Sequence, residues 1–217
     1  MTPSSPPVDL PALVLCGGRG TRLGTATEKP LVTVCGEPML DRVVRALRGS
    51  AVSSIHAVPS PQTPRTRAHA VDRGLSVVDA PGEGYVVDLQ HALGVVDPPV
   101  VTVAADLPLL AATHVDRALS TAAVDAETDV NAAPLSSLTV CVPVALKRTL
   151  GVSVDTQFDH DGRAVAPTGL NVVGTPPDAD AESDDGRTET VSIVADERLA
   201  VNVNRPRDRE VAESRCD

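Results

Sequence analysis

The chain has 217 residues, 42% of them hydrophobic and only 1% aromatic, with a formal net charge of -10. That length supports one α/β domain with a sizeable core, and the acidity argues against non-specific nucleic-acid binding, which needs a basic face. No apolar stretch approaches the roughly 20 residues that cross a bilayer, so membrane insertion is not expected.

Residues 1–11, MTPSSPPVDLP, lack the basic and apolar regions of a signal peptide and read as a flexible proline-rich arm before a single domain over 12–217. A short apolar strand at 12–16 leads into the loop LCGGRGTRLGTATEKPL, which carries Gly17, Gly18, Arg19, Gly20, Arg22 and Lys29. Pro38 opens a helix with Met39, Leu40, Val43, Val44 and Leu47 on one face and Gly49 at its end. A strand at 53–58 runs into the turn-rich PSPQTPRT, and a helix over 66–74 precedes a strand at 75–79. A second glycine loop, APGEG, opens a helix at about 85–96. PVVTVAAD (99–106) is the clearest buried strand, and Thr113 is the expected cap of the helix after it.

Beyond residue 125 the pattern loosens. Strands are expected near 129–133, 138–144, 169–174 and 199–204, with a short helix from 145 and a closing helix over RPRDREVAES. Residues 176–190 read as an exposed acidic loop. Alternating strands and helices predict a Rossmann-like three-layer αβα sandwich on a mostly parallel sheet, of the α/β class. Such a sheet binds ligands beyond the carboxyl ends of its strands, where four loops here converge.

Glycines at 17, 18 and 20 let backbone N–H groups turn toward an anion, and Arg19, Arg22 and Lys29 add full charge. The natural anion is a polyphosphate. Lysine occurs only at 29 and 147, so 17 of the 19 basic residues are arginine, and this acidic, lysine-poor composition suits a high-salt cytosol. The loop is not a P-loop, and its register and Pro30 disfavour a dinucleotide dehydrogenase. Cys16, Cys35, Cys141 and Cys216 form no C-x-x-C pair, so neither a zinc site nor a disulfide is implied.

GG-x-GTR followed by E-K-P-L resembles the signature loop of nucleotidyltransferases with the sugar-nucleotide pyrophosphorylase fold. PSPQTPRT, VVDAPGEGYVVDL (77–89), AADL (104–107), PTGLNVVG (167–174) and VNVNRPRD (201–208) follow in order. Together they resemble the archaeal GTP:adenosylcobinamide-phosphate guanylyltransferases, over residues 12 to 213. Cys16 stands where that family commonly has alanine, either as a reactive thiol or as a small buried residue.

Composition and the lack of a signal or membrane segment point to a cytoplasmic protein of a halophile, and the resemblance implies an archaeal enzyme that moves GMP from GTP onto a corrinoid phosphate with Mg²⁺. Gly17, Gly18, Gly20 and Thr21 would hold phosphates, with Leu15, Cys16 and Arg19 beside them in the nucleotide-binding loop. Arg22, Lys29 and Asp106 would be catalytic, and Asp106 with Asn204 would hold the metal; a helix cap is the other role for Asp106. Asp79 would read guanine from a pocket shared with Pro59, Ser60 and Gly84, or simply end its strand. Gly169, Leu170 and Asn171 would meet the acceptor, and a homodimer is allowed for. Molybdopterin guanylylation, sugar-phosphate activation and GTP binding without transfer remain the alternatives. The five histidines have no ligand-like spacing.

Overall fold

The computed structural model describes residues 10–18, 20–124, 135–175 and 190–216. Its organising element is β1 (Pro11–Leu15), buried along its whole length. Ala12 and Val14 enter one apolar cluster while Leu13 and Leu15 enter another. That period-two split is what a central strand needs when both faces of its sheet are covered.

The remaining elements follow as β2 (Thr33–Val34), β3 (Glu37–Pro38), α1 (Met39–Arg48), β4 (Ser54–Val58), α2 (Pro64–Asp72), β5 (Ser76–Val77), α3 (Tyr85–Leu93), β6 (Val100–Ala104), α4 (Ala112–Val124), β7 (Leu138–Pro143), α5 (Val144–Leu150), β8 (Phe158–His160), β9 (Arg163–Val173), β10 (Thr190–Ile193) and α6 (Pro206–Glu213). The main sheet has the order β10-β7-β9-β6-β1-β4-β5, with β8 paired to β9, and β2–β3 form a separate hairpin. β1 runs parallel to β4 and β6, whereas β9 is antiparallel to β6 and β7. The sheet is therefore mostly parallel with one reversed strand, as the α/β reading requires.

Helices cover both faces. Val43 and Leu47 of α1 and Val115, Ala118 and Ala122 of α4 pack with Val14, Val101 and Val103 on one side. Ala92, Leu89 and Leu93 of α3 pack with Leu13, Leu15 and Val100 on the other. Each fully buried leucine or valine contributes about 1.5–3 kcal/mol, so a core without aromatic bulk is built from many such residues.

A third cluster lies off the main sheet, where Leu23, Val32, Val34 and Met39 meet Leu109, Val152, Val201, Val203 and Ala212. It explains one difference from the sequence reading. Residues 199–204 alternate like a strand but belong to no sheet. The Val203 N–H goes instead to the Asp106 carbonyl at 3.0 Å, and Val201 and Val203 feed the third cluster.

Other corrections have equally local causes. Cys35, in the β2–β3 turn, and Cys216, after α6, form a disulfide across 181 residues; pairing depends on proximity in space, and that separation carries no sequence signal. Thr113 lies inside the first turn of α4, and the capping bond comes from His114, whose Nδ1 accepts the Ala111 N–H at 3.1 Å. β1 opens at Pro11, with Leu10 buried beside it, so the inner end of residues 1–11 belongs to the core. β8 and β10 were not expected; β10 starts at Thr190, where the acidic loop was to end. Arg19, the strand expected at 129–133, residues 1–9 and residues 176–189 lie outside the described residues. Among the described residues no helix is long and apolar enough to cross a membrane.

Candidate functional site

From β1 the chain moves through β4 to β5 on one side, then returns to place β6 on the other side of β1. The order of connection reverses between β1 and β6, and a crevice opens there at the strands' carboxyl ends. It is a cleft of ≈ 340 Å³, lined by Leu15, Gly17 and Gly18 after β1, Ala104, Ala105 and Asp106 at the end of β6, and Lys29. Pro30, Val58, Gln62, Gly82, Gly84, Tyr85 and Asp88 complete the wall.

Lys29 is placed by its neighbours. The Glu28 carboxylate accepts from the Arg65 and Thr66 N–H groups at 2.9 and 2.7 Å and from Thr66 Oγ1 at 2.7 Å. It thereby ties the loop to the N-terminus of α2, where the helix dipole favours an anion. Pro30 is buried in the 3-10 turn that follows. On the other side Gly20 presses against the lysine: a Cβ there would stand 2.7 Å from Lys29 Cβ. Held between these contacts, the Lys29 ammonium donates to Asp106 Oδ2 and Asn204 Oδ1, each at 2.5 Å.

Asp106 is itself fixed from behind. Asn202 Nδ2 donates to Asp106 Oδ1 at 3.1 Å and to the Thr168 carbonyl at 2.8 Å. Two hard oxygens, Asp106 Oδ2 and Asn204 Oδ1, thus converge on one cationic position that the ammonium now fills. This donor set fits Mg²⁺, which takes one or two protein oxygens and completes its shell with water and substrate phosphates. Among the described residues no three His, Cys, Asp or Glu side chains gather as a metal cluster.

The other expected site residues sort by position. Arg22 is 66% exposed and paired with Asp155 Oδ1 at 3.3 Å, an oxygen that also accepts from Arg205 at 2.7 Å. Thr21 is exposed in the same turn. Cys16 is fully buried, its thiol donating to the Val14 carbonyl at 3.2 Å. Burial pushes that thiol up to about 12, outweighing a backbone hydrogen bond from Val58. The small-buried-residue reading therefore holds and the reactive-thiol reading does not.

Asp79 lies outside the cleft lining. Both its oxygens accept from Arg67, at 2.7 and 2.9 Å, and this hydrogen-bonded partner holds its pKa below the usual carboxylate range. Gly84 lines the cleft, whereas Pro59 and Ser60 are buried beneath it.

On the acceptor side Asn171 reaches the cleft wall, its Nδ2 lying 3.2 Å from Thr102 Oγ1 and 3.4 Å from the Tyr85 hydroxyl. Leu170 is a correction: its side chain is fully buried in the main core and cannot touch an acceptor. Gly169 has a packing reason of its own, since a Cβ would sit 2.8 Å from Ala104 Cβ on β6.

Sequence reasoning missed several contributors. Asp88 accepts the Gly82 N–H at 2.7 Å and shapes the second glycine loop. Gln62 donates to the Gly82 carbonyl at 3.0 Å. The i, i+2 spacing of Asn202 and Asn204 was the available signal for their shared role. Two of the five histidines are structural ties: His69 to Asp41 at 2.7 Å and His114 to Asp196 at 3.1 Å.

A family model for the MobA-like NTP transferase domain matches residues 12–168. The adenosylcobinamide-phosphate guanylyltransferase of Methanocaldococcus jannaschii is 39% identical over 101 residues, 44% of this chain and 51% of that protein. The bifunctional protein GlmU of Kineococcus radiotolerans is 31% identical over 121 residues, 52% of this chain and 25% of that protein. The matched spans thus cover about half of the first relative's length and a quarter of the second's. Among solved structures, the bifunctional IspDF of Campylobacter jejuni aligns with a TM-score of 0.63 at 14% identity, over 94% of this chain and 54% of that one. A CMP:2-keto-3-deoxy-manno-octonic acid synthetase complexed with CTP aligns with a TM-score of 0.53 at 17% identity, over 76% and 73%. At such identities the likeness is one of fold.

Proposed function

The chain belongs to the MobA-like NTP transferase domain family, and from that premise we propose that it is a guanylyltransferase acting on adenosylcobinamide phosphate with GTP. The observation that carries the reading is the junction of Lys29 with Asp106 and Asn204 at the mouth of the glycine loop. The sequence likeness to the guanylyltransferase of Methanocaldococcus jannaschii supports the choice of substrates.

The triphosphate enters the cleft with its phosphates over the amides of Gly17, Gly18 and Gly20. An oxygen of the acceptor phosphate attacks the α-phosphorus in line. The bond from that phosphorus to the bridging oxygen breaks, and its electron pair leaves with pyrophosphate. No base is needed, because the acceptor phosphate is already ionised at neutral pH. Lys29 neutralises charge on the α-phosphate, and Arg22, released from Asp155, meets the departing pyrophosphate. Mg²⁺ bound by Asp106 and Asn204 would supply further charge neutralisation at the phosphates.

Asp79 offers guanine two acceptor oxygens for its N1–H and exocyclic amine. Its partner Arg67 is half exposed, so exchanging guanidinium for the base edge costs little. Asn171 orients the incoming phosphate from beside Tyr85. The acidic, lysine-poor composition supports a high-salt cytoplasm as the working environment.

The test is pyrophosphate release from GTP, ATP, CTP and UTP, each with adenosylcobinamide phosphate, a sugar 1-phosphate or molybdopterin. GTP with the corrinoid acceptor should dominate, and Asp79→Asn should narrow the margin of GTP over ATP. A different best pair replaces the assignment, and tight GTP binding without transfer to any acceptor identifies a binding protein instead.

A further inference from the structure

Lys147 is the chain's second lysine, and at 3% exposure it does not reach the cleft. It projects from α5, and its ammonium donates to the Ala200 carbonyl at 2.8 Å and to Asn202 Oδ1 at 3.0 Å. Burial pulls its pKa below the ordinary lysine value, while Asp106, Asp208 and Asp155 oppose that shift. A core that needed only volume here would be served better by methionine or leucine, because a buried ammonium loses hydration that packing cannot return.

Its chemistry is one-directional. An ammonium has three donors and no acceptor, so Asn202 must turn its oxygen toward Lys147. The amide nitrogen then faces the other way, and it donates to Asp106 Oδ1 and to the Thr168 carbonyl. Asp106 is left with Oδ2 directed at Lys29 and at the position Asn204 Oδ1 shares. With the amide reversed, an oxygen would face a carboxylate and a carbonyl, leaving three acceptors together without a proton.

We infer that Lys147 is a positioning residue for nucleotidyl transfer: by permitting one orientation of the Asn202 amide, it aims Asp106 at the cation position beside Asn204. This inference rests on the transferase reading above. Lys147 itself touches neither nucleotide nor acceptor.

The test compares Lys147→Met, which cannot donate, with Lys147→Gln, whose amide still can, and with Asn202→Ala, alone and combined with Lys147→Met. Steady-state transfer gives kcat and KM for GTP, and electron paramagnetic resonance of free Mn²⁺ reports cation binding to the full chain with GTP, with no acceptor present. Lys147→Met should lower kcat and Mn²⁺ affinity by roughly 10–100-fold, the usual cost of losing an outer-sphere partner, with KM for GTP nearly unchanged. Lys147→Gln should recover most of the loss, and Lys147→Met should add little once Asn202 is alanine. A lower melting temperature with unchanged kcat and Mn²⁺ binding overturns the inference, as do losses that multiply in the double variant. Should Lys147→Met not fold, Asn202→Ala and Lys147→Gln decide: wild-type kcat and Mn²⁺ binding in Asn202→Ala overturn it, and losses of roughly 10–100-fold there with near-wild-type values in Lys147→Gln sustain it. A wild-type chain that binds Mn²⁺ and GTP but transfers nothing sinks the functional reading, and the Mn²⁺ comparison still judges Lys147.

Discussion

Two glycines flank the 3-10 turn Thr21–Leu23 in nearly the same left-handed conformation, Gly20 at φ 60 and ψ 25 and Gly24 at φ 64 and ψ 22. Alanine at either position bears the same backbone cost, about 1 kcal/mol. Their surroundings differ. A Cβ on Gly24 meets nothing within 4 Å, whereas one on Gly20 stands 2.7 Å from Lys29 Cβ and 3.3 Å from Lys29 Cα. Neither of those atoms is the loose end of a side chain, so relief requires the Lys29 backbone to retreat by about 1 Å, at an overpacking cost of roughly 1–3 kcal/mol. Lys29 would then be displaced from its place at the mouth of the glycine loop, and displacement on that scale costs about 100-fold in turnover. Thermal melts and pyrophosphate release measure the two effects separately. Gly24→Ala should melt about 2–4 °C lower and turn over normally. Gly20→Ala should melt lower still and lose about two orders of magnitude in kcat. Equal turnover in the two variants would refute the claim that the glycine loop positions Lys29.

Lys29→Ala should reduce turnover by roughly 10²–10³-fold with an unchanged circular dichroism spectrum, the scale seen when one transition-state charge partner is removed; near-normal turnover removes the lysine from the mechanism. Reducing the Cys35–Cys216 bond, which spans 181 residues, should lower stability by up to about 5 kcal/mol in the chain-entropy limit. The melting temperature should then fall with reductant and match that of Cys35→Ser, and identical melts with and without reductant mean the thiols are not joined. Burial alone would raise the Asp196 carboxyl, but hydrogen bonds from the Arg198 side chain and backbone and from His114 hold it down at about 2. The unfolded chain takes up that proton first, near 3.8, so this stabilisation is complete above about pH 4 and fades as pH falls toward 2. Asp196→Asn should flatten that limb of the urea-derived stability curve; an unaltered limb shows that the carboxylate is not the group responsible.

Local pattern carried much of this structure. Val14 and Leu15 point to opposite faces of the sheet, and a strand covered on both faces is readable as the continuous apolar run it needs. The glycines at 17 and 18, the rare lysine at 29 and the carboxylate of Asp106 just after β6 were readable as parts of one site from residue type and position, and all four line the cleft. What escaped was pairing across distance. Glu28 was visible beside Lys29, but nothing local says that it reaches the amides of residues 65 and 66. The partner of Cys35 lies 181 residues away. Residues 199–204 have a strand's alternation because Val201 and Val203 face a small core while Asn202 and Asn204 face Asp106 and Lys29, and a two-residue period needs no sheet to produce that. Asp79 reads from sequence as a carboxylate for guanine, with a strand-end turn as its other role, and only the fold brings Arg67 to its oxygens.

The most direct measurement follows the label in a single turnover of GTP with adenosylcobinamide phosphate. With ³²P at the α-position the corrinoid product should carry the label, and with ³²P at the γ-position the label should appear only in pyrophosphate. Label from the γ-position in the corrinoid, or no label in it from either position, would contradict attack at an α-phosphate held by Lys29 beside Asp106 and Asn204.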